Sequence, residues 1–339
     1  MTDQTHSTSR LSRRQVLRRG ALGALGLAAF STRARAAATP IRMSCWSQPL
    51  SEQTNLFAAQ EFGWFAEVGL EFKFVPGKGG GAAVKHLLAG NADIAFANID
   101  PLLYAVEKGA KLKAVYNIYP QNVFNVVSLK DKGITKPAAL KGKKIGVYSM
   151  ESGTRQNLRI ILRAAGLSEA DVEVVPTGVL NFGPLIQGQV DATAATDTGM
   201  WLAQQKGLGP SNVIWARDYL NTPTDVFIVT EDFYNTRQDH LRGFLKAYKR
   251  GTQWMMDEPE KAAEMAMKYA INGKDPKANL EIIKIRNASS VSEYTKKHGL
   301  GQFDLDLLVE VEKTFRSLGL TQKEIDMKTL FTNDLVQSL

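Results

Sequence analysis

The sequence predicts two α/β lobes, each a mainly parallel sheet flanked by helices, with a helical C-terminal tail. Three observations lead to this fold class. From about residue 41 to residue 230, short apolar runs alternate with stretches of helical periodicity, the pattern of parallel sheets covered on both faces. A turn of the form Gly-x-x-Asp enters a buried strand twice, as Gly90-Asn91-Ala92-Asp93 and as Gly188-Gln189-Val190-Asp191. Finally, the chain has 339 residues. Without a leader about 300 remain, more than a single core usually supports.

The leader is read from residues 1–36. Arg10, Arg13, Arg14, Arg18 and Arg19 form a basic segment, an apolar stretch of Ala, Leu and Gly runs to Phe30, and Ala34-Arg35-Ala36 offers a small-x-small cleavage pattern. The apolar stretch is too short for a permanent anchor. Ser12-Arg13-Arg14-Gln15-Val16-Leu17-Arg18 resembles the twin-arginine consensus read by a dedicated translocase. Periplasmic location after cleavage near Ala36-Ala37 is therefore expected, with the mature chain soluble and monomeric. The leader also accounts for most of the charge. The whole chain carries +8, from 42 basic and 34 acidic residues, but residues 1–36 hold seven arginines and one aspartate. The remainder has 35 basic and 33 acidic residues. A nucleic-acid partner thus has no support in net charge.

In the mature part, strands are expected at 41–46, 71–75, 93–97, 112–119 and 123–129, with helices at 56–65, 82–88 and 101–108 between them. The helix 56–65 should bury Leu56, Ala59, Phe62 and Phe65. A second unit follows the connector 130–142: strands at 144–148, 172–176, 192–195, 213–216 and 226–230, with helices at 155–165 and 181–187. Four helices, 240–257, 259–270, 276–286 and 305–318, then form the tail. The order fits a second lobe inserted in the first, with crossings near 124–129 and 225–230. The domains are then the leader 1–36, a discontinuous first lobe 37–126 and 227–339, and a second lobe 127–226.

At Ala59-x-x-x-Gly63-Trp64-Phe65-x-x-x-Gly69-Leu70 and Leu88-x-Gly90-x-x-Asp93-Ile94 the chain resembles periplasmic substrate-binding proteins of ABC transporters. The resemblance continues in Leu140-Lys141-Gly142-Lys143-Lys144-Ile145-Gly146, Gly153-Thr154 and Gly188-x-x-Asp191-Ala192. It is greatest with the nitrate, sulfonate and taurine binders and with their relatives that bind thiamine-pyrimidine precursors. The resemblance implies a type II periplasmic binding protein fold, in which two lobes joined by a hinge close on a ligand. It also implies delivery of that ligand to the transmembrane subunits of a permease.

Candidate ligand-binding residues lie in two groups. The first is the pair of Gly-containing loops. Ser152, Gly153 and Thr154 open the helix 155–165, where free N–H groups and hydroxyls suit a carboxylate, sulfonate or phosphate; the same residues are also favoured caps. Gly80 and Gly81 precede the helix 82–88, either as a second such loop or as a flexible turn. The second group sits at strand ends: Trp46, Ser47 and Gln48; Asn98 and Asp100; Asp197 with Thr198; and Asn181 at a helix start. Each of these either faces a polar cleft or caps a turn. Trp46 and Trp201 either stack on a planar ligand or pack in the core.

Catalytic chemistry finds little to work with. His86, His240 and His298 show no metal-ligand spacing, and the lone Cys45 lies inside a strand with no recognisable base, the place of a small buried hydrophobe. One cysteine also excludes an internal disulfide and a Cys-based zinc site. No Gly-x-Ser-x-Gly elbow occurs. The branch of the resembled fold that makes thiamine pyrimidine uses a cysteine-rich motif absent here. Gly77-x-Gly79-x-x-Ala82 imitates a dinucleotide fingerprint, but the helix after it is very short and an exported protein meets little free NAD. The expectation is a non-enzymatic binder without cofactor or metal. An anionic ligand (sulfonate, nitrate-like or carboxylate) is favoured, a neutral aromatic or pyrimidine thiamine precursor is the alternative, and a secreted enzyme on this fold is a further rival.

Overall fold

Apolar runs become strands in the computed structural model, which describes residues 38–178 and 182–339. Those residues form two five-stranded sheets. The first sheet contains β1 (Thr39–Cys45), β2 (Leu70–Val75), β3 (Ile94–Asn98), β4 (Leu112–Asn117) and β10 (Asp225–Thr230), in the order β2-β1-β3-β10-β4. The second contains β5 (Phe124–Leu129), β6 (Lys144–Val147), β7 (Glu173–Pro176), β8 (Ala192–Thr196) and β9 (Ser211–Trp215), in the order β7-β6-β8-β5-β9. Pairing is parallel in β1–β2, β1–β3, β6–β7 and β6–β8. The exceptions are β10, antiparallel to β3 and β4, and β5, antiparallel to β8 and β9. Each sheet therefore carries one reversed strand in its fourth position, and each reversed strand adjoins a passage between the sheets.

These passages are residues 118–123 and 216–224, just before β5 and β10, and they run side by side. The Ile118 amide donates to Asp225 O (2.9 Å) and the Thr224 amide to Tyr119 O (2.8 Å). The Thr224 hydroxyl donates to Gln121 O (2.6 Å) and accepts from the Val123 amide (3.1 Å). Asn122 completes the tie, its amide donating to Asn221 Oδ1 (3.0 Å) and its Nδ2 to Leu220 O (3.1 Å).

The repeated Gly-x-x-Asp turn has the same task in both sheets. Asp93 donates its amide to Arg42 O and takes the Arg42 amide on Oδ2, both at 2.8 Å. Asp191 donates to Lys144 O (2.8 Å) and takes the Lys144 amide on Oδ2 (3.0 Å). In each case a carboxylate fastens the strand it enters to the parallel strand beside it, β3 to β1 and β8 to β6. Glycine suits the position before it because Gly90 and Gly188 have φ of 71° and 70°.

The helices are α1 (Thr54–Glu61), α2 (Trp64–Glu67), α3 (Gly80–Leu88), α4 (Ile99–Glu107), α5 (Gly153–Ala164), α6 (Gly183–Ile186) and α7 (Asp197–Gln205). They continue as α8 (Glu231–Thr236), α9 (Gln238–Asp257), α10 (Pro259–Tyr269), α11 (Pro276–Ser289), α12 (Glu293–His298), α13 (Leu305–Ser317) and α14 (Met327–Leu330). They cover both faces of each sheet, so alternate strand residues enter different cores. Phe227 and Val229 of β10 join Ile94 and Phe96 in one core, while Val226 and Ile228 join Ala95 and Ala97 in the other. Phe227 is the centre of the first, edge-on to Phe244 at 5.1 Å and to Tyr248 at 4.6 Å. Burying such a ring contributes about 1.5–3 kcal/mol. In the second sheet Val126 and Val127 divide between two cores in the same manner.

One expected stripe is broken. The helix 56–65 ends at Glu61, and the left-handed Gly63 (φ 72°) separates it from α2. The break turns Phe62 outward to 44 % exposure, its ring resting on Trp64 and Trp254. The tail helices pack back on this corner. Gly251 of α9 lies directly against α1, where an added Cβ would overlap the Asn55 carbonyl. Gly251→Ala is expected to lower unfolding stability by about 1–3 kcal/mol, the usual cost of overpacking, measured by urea denaturation of the mature protein.

Candidate ligand-binding cleft

The carboxyl ends of β1 and β3 in one sheet and β6 and β8 in the other lead into the same cleft, the usual place for ligands in α/β folds. Around β1 and β6 the two Gly-containing loops meet directly. The Gly81 amide donates to Glu151 O (3.1 Å), Ser149 Oγ donates to Lys78 O (2.7 Å), and Lys85 pairs with the Glu151 carboxylate. At the rim Pro76–Lys78, Ala82 and His86 face Ser149–Glu151 across a hollow of about 480 Å³. A hollow of about 540 Å³ between Val106–Leu112 and Lys323–Leu330 takes no residue from the second sheet and lies away from the cleft.

Ser152 caps α5, with Oγ accepting from the Arg155 amide (3.4 Å) and donating to Ser149 O (2.6 Å). Thr154 Oγ1 accepts from the Tyr148 amide (2.9 Å) and lies 2.7 Å from Ser152 Oγ. Both hydroxyls thus serve their own loop. Gly153 is the point of closest approach: a Cβ there would lie 2.6 Å from Asn98 Oδ1 and 2.5 Å from Phe124 Cζ. Gly80 meets the same amide from the other side, its added Cβ 2.8 Å from Asn98 Oδ1.

Asn98 is buried and donates from Nδ2 to Asp225 Oδ1 (2.8 Å). Asp100, in the first turn of α4, is buried as well, and burial raises its carboxyl to about 6 against the pull of Arg159. Ser47 is buried, donating to Gln48 O (2.7 Å) and accepting from Gln53 Nε2 (2.9 Å). Gln48 is half-buried beside it. Trp46 packs on the first core, with its Nε1 buried and without a hydrogen-bond partner. Trp201 is half-buried on α7. Asn181 lies outside the described residues, and the helix expected there is described from Gly183.

Asp197 opens α7 and leads to the residues that sequence reasoning missed. Its Oδ1 lies 2.7 Å from Arg286 Nη1, an ion contact without hydrogen-bond alignment. Arg286 Nη2 donates to Thr198 Oγ1 (2.8 Å), and Nε donates to Glu52. The guanidinium lies over the Tyr119 ring, 5.2 Å from its centroid. Burial opposes the charge on Arg286, but Asp197 and Glu52 more than offset it and hold the group protonated. The sequence carried one signal. Asn279, Ile282, Ile283, Arg286 and Ser289 share the buried side of α11, so an arginine stands where a helix stripe is otherwise uncharged.

Asp225 was missed for another reason, since it begins an apolar strand. Its carboxyl is raised to about 8, by burial first and then by Glu52 and Asp100, with Arg286 acting in the opposite direction. Cys45 matches the reading of a buried small residue. Burial raises its thiol to about 12, leaving it neutral at pH 7 and a poor nucleophile. No cluster of metal-ligating side chains occurs among the described residues.

The family model described as NMT1/THI5 like matches residues 51–262. The chain belongs to this family. The riboflavin-binding protein RibY of Chloroflexus aurantiacus is 23 % identical over 83 % of this chain and 81 % of its own. The 4-amino-5-hydroxymethyl-2-methylpyrimidine phosphate synthase THI12 of Saccharomyces cerevisiae is 26 % identical over 63 % of this chain and 66 % of its own. Among solved structures, the alkanesulfonate-binding protein SsuA of Xanthomonas axonopodis pv. citri superposes with a TM-score of 0.68. It covers 87 % of this chain and 98 % of its own at 16 % identity, a likeness of fold. The fold is thus the two-lobed periplasmic binding protein fold with added C-terminal helices.

Two outcomes follow from the cleft. Gly153→Ala should separate the loops and raise the radius of gyration in small-angle scattering, with a loss of stability of about 1–3 kcal/mol, because parting the lobes relieves the contact with Asn98 but leaves the overlap with Phe124 inside the second lobe. Asp225 keeps a proton that the unfolded chain releases, so it makes stability fall as pH rises from 3.8 towards about 8. Asp225→Asn should flatten this fall and stabilise the protein at pH 7 by at least about 1 kcal/mol, read from urea midpoints at pH 5, 7 and 8.

Proposed function

We propose that the chain is the solute-binding component of an ABC importer, which captures a small organic ligand between its lobes and delivers it to a permease. It is exported through the twin-arginine translocase and works in the periplasm as a monomer. The moving bodies are the discontinuous first lobe, which carries β1–β4 and β10, and the inserted second lobe, which carries β5–β9, bending at 118–123 and 216–224. The observation that carries this reading is the meeting of polar residues from both sheets in one cleft, Asn98 against Gly153 and Asp197 against Arg286. A ligand touching both lobes stabilises the closed form selectively, and that differential affinity is the whole mechanism. The raised thiol of Cys45 supports a binder over an enzyme.

Two ligand chemistries compete for the cleft. The N-terminus of α5 favours an anion such as a sulfonate or carboxylate. A neutral, N–H-bearing heterocycle is favoured by the carboxyl groups around it, which can accept its N–H groups. Glu52, Asp100, Asp197 and Asp225 are all in the cleft, and its one buried guanidinium, Arg286, is already engaged by two of them. The riboflavin-binding relative points the same way.

A thermal-shift panel of sulfonates, carboxylates, nitrate, flavins and aminopyrimidines tests both, since a ligand at a hundred times its Kd stabilises by about 2.7 kcal/mol. The expected result is a rise in Tm with one class and compaction in scattering with the same compound. Binding without compaction would overturn the mechanism. Mass spectrometry of the recovered compound tests the synthase reading, for which it must be chemically altered.

A further inference from the structure

We infer that Arg286 is a positioning residue that holds the lobes together through Asp197 and Thr198, so that closure is stabilised by the chain's own buried ion pair as well as by ligand. Arg286 belongs to α11, and Glu52 to the turn Ser51–Gln53 just after β1. Asp197 and Thr198 begin α7, directly after β8 of the second sheet. One guanidinium therefore has one partner on its own side and two across the cleft.

The division of partners decides the energetics. Glu52 holds the guanidinium within the first lobe, both side chains being nearly fully buried at 2 % and 6 % exposure. Across the cleft the guanidinium's partner is the Asp197 carboxylate. That carboxylate keeps 20 % exposure, accepts the Thr198 amide of its own helix on Oδ1 (2.7 Å) and takes Ser289 Oγ from across the cleft on Oδ2 (3.4 Å). Such a pair is costly to break from one side, because the charge that remains is left buried without that partner, whereas an exposed pair is nearly neutral. The comparison is present in the molecule itself. The rim pair Lys85–Glu151 also crosses the cleft, but at 71 % and 41 % exposure it is screened by water. The guanidinium also lies over Tyr119, in the first of the two passages between the sheets. Arg286 thus fixes the spacing of the second lobe where the lobes bend.

Asp197→Ala tests this, because it leaves the Glu52–Arg286 pair intact inside the first lobe. Interlobe distances in the ligand-free mature protein, from paired spin labels, are expected to shift to longer values, with the closed fraction relative to open falling at least about tenfold. Thr198→Val should shift them in the same direction by less. Unchanged distances in Asp197→Ala overturn the proposal, and so does a lowered Tm with unchanged distances, which marks a merely structural pair. The proposal rests on the two-lobed binding reading, but its main measurement needs no ligand. A panel without hits would therefore undermine that reading alone, and unchanged distances beside a confirmed ligand would undermine Arg286 alone.

Discussion

The pairing of the two passages between the sheets is the constraint on which the molecule depends. Residues 118–123 and 216–224 are joined by backbone bonds at Ile118 and Thr224 and by the side chains of Asn122 and Thr224. Two single strands would allow the lobes to twist, slide and separate. A bonded pair leaves bending as the easy motion, and bending brings the carboxyl ends of both sheets together. The register of that pair aims Asn98 at Gly153 and brings α7 under α11. Everything in the cleft is therefore positioned from the passages outward.

Most of this frame was legible in the sequence because it is local. Strands show as apolar runs, and the repeated Gly-x-x-Asp turn shows because each copy needs a left-handed residue followed by a carboxylate. What the pattern does not carry is direction. Nothing in Phe124–Leu129 or Asp225–Thr230 marks them as the reversed strands, since a fully covered strand has the same composition either way. The break after Glu61 was equally hidden. Gly63 is visible, but its conformation follows from how α2 packs.

The candidate site was half legible for the same physical reason. Ser47, Asn98, Asp100, Ser152 to Thr154 and Asp197 follow strand ends or open helices, so topology alone sends them to the cleft. Arg286 and Glu52 stand 234 positions apart, and neither lies in a loop motif. Their pairing is a product of packing, in which a charge on a helix stripe must find a partner wherever the tail settles. Ser152 and Thr154 illustrate the reverse case. Their residue types suit an anion, yet both hydroxyls are consumed by the loop that presents them. Hydrogen-bond capacity in a sequence is an upper limit on what a site can offer.

The exchange of strands also governs the order of events as the chain emerges from the ribosome. β10 lies between β3 and β4, so the first sheet lacks its fourth strand until residue 230 has been made and the second lobe has formed in between. An early half-sheet would expose β3 as an open edge, prone to wrong pairing. Contacts so distant in sequence make assembly slow and largely post-synthetic. Folding of the first lobe is thereby made conditional on the second, and a truncated chain ending before β10 holds a complete second sheet beside a first sheet still missing the strand that joins β3 to β4.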